Sequence, residues 1–328
     1  MLVQAGERLL LDCHHRAPFS RLLTEGGAGG WQPADGRPCD VHVVVQPQRT
    51  PFDTRGWAPL TRGAYARNGV VVLFNACGSG FDLRLVATDH LRVEARWRPP
   101  VREHVAARLL RSRFHLLARA ALLQYPALWW AGCRGRVPMH ASAVTVGASV
   151  PLLAGPGGTG RSTLLLGAVA SGEHTCSDNV CVTDGRTVHG LVEPMRIEGG
   201  GGRHMAHGRT ERSLPGRVDA LLPDRLVVLR RRISGRPAVR PLAAADAARS
   251  LVAGTYMAGE LRRYWPFAAT LALGTGQGPA HPPIEAVAQT MARRLPAHEL
   301  VLGDRPEEGL ATLYRLIAEA PEKAEALP

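Results

Sequence analysis

The segment PLLAGPGGTGRSTLLLGAVA at residues 151–170 decides the fold, because its character changes twice along its length. Its apolar beginning, 151–154, is typical of a buried strand, and the glycine-rich stretch 155–163 is typical of a tight loop. Residues 161–170 then have helical character, and Gly172 suits the C-terminal cap of that helix. A strand that continues through a glycine-rich loop into a helix predicts an α/β domain around this segment.

The glycine-rich loop (residues 155–163) fits the pattern GxxxxGK[ST] at every fixed position except one, where Arg161 stands in place of lysine. Its residues are Gly155, Pro156, Gly157, Gly158, Thr159, Gly160, Arg161, Ser162 and Thr163. In loops of this kind successive backbone N–H groups surround a phosphate at the positive end of the following helix. The pattern therefore predicts nucleotide binding, with Arg161 on the phosphates and the Ser162 hydroxyl on Mg²⁺. A glycine-rich turn without a ligand is the alternative.

Two further residues carry side chains that suit chemistry at a phosphate. Asp178, in Ser177-Asp178-Asn179, follows a short strand beyond the loop helix, where a carboxylate can hold a metal or accept a proton from an attacking hydroxyl. His140 lies before the loop strand and would reach the same region if the two strands share a sheet. The structural alternatives are an Asp/Asn turn for Asp178 and a core histidine for His140.

Three motifs together, MHASAV at 139–144, the glycine-rich loop and Ser177-Asp178-Asn179, resemble the C-terminal kinase domain of HPr kinase/phosphorylase and its relatives. These relatives include serine kinases found with peptide natural-product genes, such as lasso-peptide kinases. The resemblance covers about residues 136–304. It extends to three later segments, at 218–232, 240–256 and 292–304.

The resemblance implies a compact α/β phosphate-loop fold that uses ATP and Mg²⁺ and phosphorylates a hydroxyl, expected to be a serine of a peptide or protein. It assigns catalytic roles to His140 and Asp178 and an acidic position on the metal side to Glu193. Two residues depart from the family pattern, since Arg161 replaces the loop lysine and Asn179 replaces the second acid of an Asp-Asp pair. HPr kinases assemble as hexamers, so a homo-oligomer is considered as well.

These departures leave two functions open. The first is an ATP-dependent phosphotransferase in which Asp178, His140 and Arg161 form the catalytic set, with Ser162, Asp178 and Glu193 at the metal. The second is a nucleotide-binding accessory or sensor protein that transfers no phosphate and acts through a protein partner. Arg161 and Asn179 are the residues that favour the second function.

The 328 residues are expected to form four regions. Alternating and β-branched apolar segments predict a smaller, mainly β N-terminal region of unknown role over 1–100. A three- and four-residue apolar spacing predicts a connecting helix over 101–135. The phosphate-loop domain is predicted over 136–304, and a C-terminal helix or tail over 305–328.

The net charge of +12 comes almost entirely from arginine, since Lys323 is the only lysine. An arginine excess of this kind is typical of a GC-rich genome and favours a solvated surface, with a basic face that attracts a nucleotide, an acidic peptide or a nucleic acid as the alternative. No RNA-recognition aromatic motif or zinc-finger spacing occurs, so nucleic acid is not an expected partner. The densest basic run, Arg230-Arg231-Arg232, is interpreted as a solvated strand end, with contact to an anionic substrate as the alternative.

The six cysteines form no CxxC pair, which favours reduced thiols and a cytoplasmic location. Cys176 and Cys181 are spaced as CxxxxC, which does not match a zinc site. Charged residues interrupt the N-terminal 18 residues, and polar residues interrupt the apolar segment 114–132. We therefore expect neither an export signal nor a membrane span.

Overall fold

A computed structural model describes residues 1–13, 19–27, 29–33, 35–198, 203–204, 209–303 and 306–319 of the chain. The described residues form a mixed α/β structure with several sheets, which agrees with the predicted class. The strands are β1 Leu2–Gln4, β2 Glu7–Cys13, β3 Val41–Gln46, β4 Ala58–Thr61, β5 Ala64–Arg67, β6 Val70–Leu73, β7 Phe81–Ala87, β8 Leu91–Trp97, β9 Val137–Met139, β10 Ala141–Ala143, β11 Pro151–Ala154, β12 Cys181–Thr183, β13 Val188–Gly190, β14 Met195–Glu198, β15 Arg203–His204, β16 Arg209–Arg212, β17 Ala220–Leu221, β18 Arg225–Arg231, β19 Ala238–Pro241 and β20 Ala297–Leu302. The helices are α1 Phe19–Gly26, α2 Val101–Leu109, α3 Arg111–Arg119, α4 Tyr125–Cys133, α5 Arg161–Ala170, α6 Ala244–Met257, α7 Tyr264–Thr275, α8 Ile284–Arg294 and α9 Pro306–Glu319.

The chain divides by its internal contacts into two compact units. The first unit combines 1–138 with 189–214 and 259–283, and the second combines 139–188 with 215–258 and the chain from residue 284. Residues 189–214 and 259–283 are placed by the sequence in the phosphate-loop domain, but they belong to the same compact unit as residues 1–138. The domain boundaries drawn from the sequence stay predictions.

An eight-stranded sheet forms the centre of the first unit, in the order β1-β2-β3-β8-β7-β6-β5-β4. Strands β2, β3 and β8 are parallel neighbours, and the other pairs are antiparallel. The alternating and β-branched apolar segments of the predicted β region include 41–46, 70–75 and 81–98, which are observed as β3, β6 and the hairpin β7–β8. Their inward side chains, among them Val43, Leu83 and Val93, are fully buried.

The predicted connecting helix over 101–135 is helical but not continuous. It consists of α2, α3, a π-helical turn at Ala120–Gln124 and α4. Helices α2 and α3 are separated at Leu110, whose φ of −112° and ψ of 58° are not helical. The apolar spacing on which the prediction depended continues across this residue, so it could not reveal the break.

A five-stranded sheet forms the centre of the second unit, in the order β10-β11-β18-β20-β19. The three central strands, β11, β18 and β20, are parallel, and an antiparallel strand lies at each edge. Leu153 of β11, Leu229 of β18 and Leu300 of β20 pack with α5 and α9 in one buried apolar cluster. Parallel strands end at the same edge of a sheet, so the loops after β11 and β18 begin side by side.

The predicted C-terminal helix is observed as α9, and residues 320–328 of the predicted tail lie outside the described residues. No helix in the described part of the chain has the length and apolar character that a membrane crossing requires.

Candidate functional site

The glycine-rich loop joins the end of β11 to the start of α5, which is the strand-to-helix context that its pattern requires. Gly158 and Gly160 have φ values of +81° and +104°, in the region that glycine adopts without strain. At Gly160 a Cβ atom would also lie 3.0 Å from Cδ1 of Leu302. The loop conformation therefore depends on Gly160, which the motif fixes, and on Gly158, which stands at one of its variable positions.

The tip of the loop has unused backbone hydrogen-bond donors, and open space adjoins two of its glycines. Within the described residues, the backbone N–H groups of Gly157, Gly158 and Gly160 donate no hydrogen bond. The Thr159 N–H and hydroxyl both bond to the Pro156 carbonyl oxygen, at 3.4 and 2.9 Å, and hold the turn. A Cβ atom at Gly157 or Gly158 would meet no heavy atom within 4 Å. Unused amide donors around open space are what a bound phosphate requires.

Ser162, at the start of α5, is half-buried. Its hydroxyl makes no hydrogen bond in the part of the chain that the structure describes. Mg²⁺ is usually held by a few protein oxygens together with phosphate oxygens and water. A hydroxyl at Ser162 and a carboxylate at Asp178 are suitable oxygens, so the residues present fit a nucleotide with Mg²⁺.

Arg161 is buried, and its guanidinium connects two other predicted site residues. Its Nε donates to the Asp178 carbonyl oxygen at 3.1 Å, and its Nη1 donates to the His140 carbonyl oxygen at 3.1 Å. Its Nη2 lies 2.8 Å from His140 Nε2 and 3.4 Å from the Asn179 carbonyl oxygen. Because a guanidinium has no acceptor, His140 Nε2 is the acceptor and the neutral ring carries its proton on Nδ1.

His140 lies directly before β10, and β10 pairs antiparallel with the loop strand β11. The two strands therefore share a sheet, as the prediction for His140 required. The His140 backbone N–H donates to the Thr255 hydroxyl at 3.0 Å. A Cβ atom at Gly254 would lie 3.9 Å from His140 Nδ1 and 3.8 Å from the Gly155 carbonyl oxygen, so α6 passes close to both.

Asp178 is 1% exposed, and its backbone is held from two sides. The Ser142 hydroxyl of β10 donates to the Asp178 carbonyl oxygen, which also accepts from Arg161. The structure thus brings together His140, Arg161 and Asp178, whose catalytic roles stay predictions.

Glu193 lies in the first unit and is 3% exposed. It is near Arg119, whose guanidinium donates to Glu211 at 3.3 Å. Burial lowers the pKa of Arg119, and the negative charges of Glu211 and Glu193 oppose that shift. The role of Glu193 at a metal stays a prediction.

Two cysteines of the second unit lie close in sequence to Asp178. Cys176 and Cys181 are fully buried, and burial raises the pKa of both thiols. Both are therefore protonated at neutral pH, and a protonated thiol is a poor metal ligand. Among the described residues, no group of three or more His, Cys, Asp or Glu side chains is arranged to hold a metal ion.

Sequence reasoning missed the residues that position the site. Ser142 lies two residues after His140 in the same segment, and the period of two in a strand is a signal that could have identified it. Thr255 is 115 residues from His140 in sequence and gives no local signal. It lies on α6, where the apolar pattern alone predicts a packing residue.

The sequence matches no protein-family model and no curated protein. A similar solved structure is that of the HPr(Ser) kinase/phosphatase from Coxiella burnetii, with 13% sequence identity and a TM-score of 0.28. The match covers 56% of this chain and 99% of that chain. The similarity is distant, and the site is interpreted from its own geometry.

Proposed function

We propose that the second unit binds ATP with Mg²⁺ at the glycine-rich loop and transfers the terminal phosphoryl group to a hydroxyl of a peptide or protein, expected to be a serine. One observation carries this proposal. The unused N–H groups of Gly157, Gly158 and Gly160 lie on the same loop as Arg161, which hydrogen-bonds to the candidate catalytic residues His140 and Asp178.

In this proposal the loop amides bind the phosphates, and Ser162 and Asp178 hold Mg²⁺, which neutralises phosphate charge when bound. The Asp178 carboxylate accepts the proton of the attacking hydroxyl. The new bond joins the hydroxyl oxygen to the γ-phosphorus, and the bond from that phosphorus to the departing ADP breaks. His140, whose Nε2 accepts from Arg161, assists at the transferred phosphoryl group. Catalysis of this kind depends mostly on positioning and charge stabilisation.

A nucleotide-binding accessory protein that transfers no phosphate is the second candidate. It is favoured by the bonds of the Arg161 guanidinium to three backbone carbonyls and to His140, and by Asn179 in place of an acid. Such a protein would bind ATP or ADP and act through a protein partner.

Transfer of labelled phosphate tests the two candidates. The purified chain is incubated with γ-labelled ATP, Mg²⁺ and a panel of serine-bearing peptides, and nucleotide binding is measured by calorimetry. The phosphotransferase predicts label in an acceptor, which Asp178→Asn abolishes. Asp184→Asn is the matched control, because Asp184 is an exposed turn residue in the same segment.

The other outcomes are equally informative. Nucleotide binding with no label in any acceptor supports the accessory protein. Label that Asp178→Asn leaves unchanged contradicts the role of Asp178 as the base. Absence of both binding and transfer at millimolar ATP excludes both candidates.

A further inference from the structure

The basic run at the end of β18 divides between the two faces of the sheet. Leu229 packs with Leu164 in the apolar cluster under α5. Side chains alternate along a strand, so Arg231, two residues later, belongs to the same face as α5 and the glycine-rich loop. Arg230 belongs to the opposite face, where its Nε lies 3.2 Å from Glu299 Oε1.

Arg231 is the member of this run that reaches the glycine-rich loop. Strands β11 and β18 are parallel neighbours, so β18 continues beside the loop that follows β11. Nη1 of Arg231 lies 3.5 Å from the Gly158 carbonyl oxygen. The side chain is exposed and makes no ion pair among the described residues. It therefore places an exposed positive charge at the tip of the loop.

Arg161, at the position of the motif lysine, is already engaged. Its guanidinium donates to the carbonyl oxygens of His140 and Asp178, and it is 6% exposed. Moving it to a phosphate would remove a donor from the His140 carbonyl and leave the Asp178 carbonyl with the Ser142 hydroxyl, which is unfavourable in a buried site. The phosphate charge that Mg²⁺ does not neutralise is then available to a different basic side chain.

We infer that Arg231 is the residue that binds the terminal phosphates of the nucleotide, while Arg161 positions His140 and the backbone of Asp178. This inference rests on the proposed nucleotide binding at the glycine-rich loop. A guanidinium can contact two phosphate oxygens at once. Because AMP lacks the terminal phosphates, Arg231 favours the triphosphate and diphosphate over the monophosphate. The basic run at residues 230–232, interpreted from the sequence as a solvated strand end, thus contains a ligand-binding residue.

Calorimetric titration of the full chain with Mg·ATP and with AMP tests this assignment. Arg231→Ala is expected to weaken ATP binding by about 10- to 100-fold, the effect of losing a charged hydrogen bond, and to change AMP binding little. Arg231→Lys is expected to recover part of the loss because it keeps the charge without the planar fork. Arg232→Ala is the matched control, since Arg232 is also exposed and adjacent but makes no hydrogen bond to the loop in the described structure.

The outcomes separate this inference from the proposed function. If the unaltered chain binds ATP and Arg231→Ala binds it equally well, or if Arg232→Ala has the same effect as Arg231→Ala, the role of Arg231 is refuted while the proposed function stands. If the unaltered chain binds no ATP, the proposed function fails and this inference fails with it. Melting temperatures equal to that of the unaltered chain show that the variants are folded, as expected for an exposed side chain.

Discussion

Removal of the Arg161 guanidinium tests whether this residue holds the site together. In Arg161→Ala the carbonyl oxygens of His140 and Asp178 lose donors at 3.1 Å, and His140 Nε2 loses a donor at 2.8 Å. Hydrogen bonds from a charged donor contribute about 1.5–3 kcal/mol each, so the three together correspond to about 5–9 kcal/mol. Removing the cation also relieves a desolvation cost of several kcal/mol. We therefore expect a net loss of about 2–4 kcal/mol in the free energy of unfolding.

Thermal and chemical denaturation measure this loss. At about 2–4 °C per kcal/mol, the melting temperature of Arg161→Ala should fall by about 4–16 °C. Arg161→Lys keeps the charge but not the planar fork, so it should show an intermediate loss. Arg232→Ala should match the unaltered chain. If Arg161→Ala is within about 0.5 kcal/mol of the unaltered chain, the guanidinium does not stabilise the site in the way that its contacts indicate.

Two further predictions concern the loop and the first unit. Gly158→Ala should lower the free energy of unfolding by about 1–2 kcal/mol, because φ is +81° at this position. Gly157→Ala is the control, since a Cβ atom there also meets open space, and it should leave the melting temperature unchanged. Equal losses of stability in the two variants would contradict the role of the backbone conformation. Glu7 contacts Arg134 and Arg136, yet burial raises its pKa from 4.5 to about 7 against the opposing charges of these arginines. Because the pKa of Glu7 is raised in the folded state, its contribution to the free energy of unfolding is fully present below pH 4.5. This contribution, up to about 3 kcal/mol, is lost as the pH rises through about 7. Glu7→Gln should remove this part of the pH dependence in denaturant titrations between pH 4.5 and 8, and an unchanged slope would show that Glu7 keeps an ordinary pKa.

The parts of the site that depend on local sequence could be predicted from it. The glycine-rich loop follows from glycine spacing after an apolar segment, and the hairpin that joins β10 to β11 follows from the turn at Gly147-Ala148-Ser149. Helices α6 and α8 bury residues mostly three and four positions apart, which is the local spacing that predicts a helix. In each case the residues that form the sequence pattern and the element that they predict lie within about fifteen residues of each other.

The parts that depend on long-range packing could not be predicted. The register that brings Arg231 beside the loop is set by the parallel pairing of β11 and β18, whose strands are about 70 residues apart in sequence. Thr255 reaches His140 because α6 packs against this edge of the sheet. The inclusion of 189–214 and 259–283 in the first unit also depends on contacts with residues distant along the chain.

Arginine at position 161 has a physical consequence that the charge alone does not indicate. A lysine ammonium is a compact charge on a flexible stem and can follow a phosphate, whereas a guanidinium presents several donors in a rigid plane. In a buried position that plane is stable only where acceptors surround it, and the carbonyls of His140 and Asp178 are such acceptors. At this position a lysine would be free to bind a phosphate, whereas Arg161 binds backbone carbonyls of the protein itself. A polyphosphate at the loop then depends for its counter-charge on the next strand end, where Arg231 is exposed and has no acidic partner in the described structure.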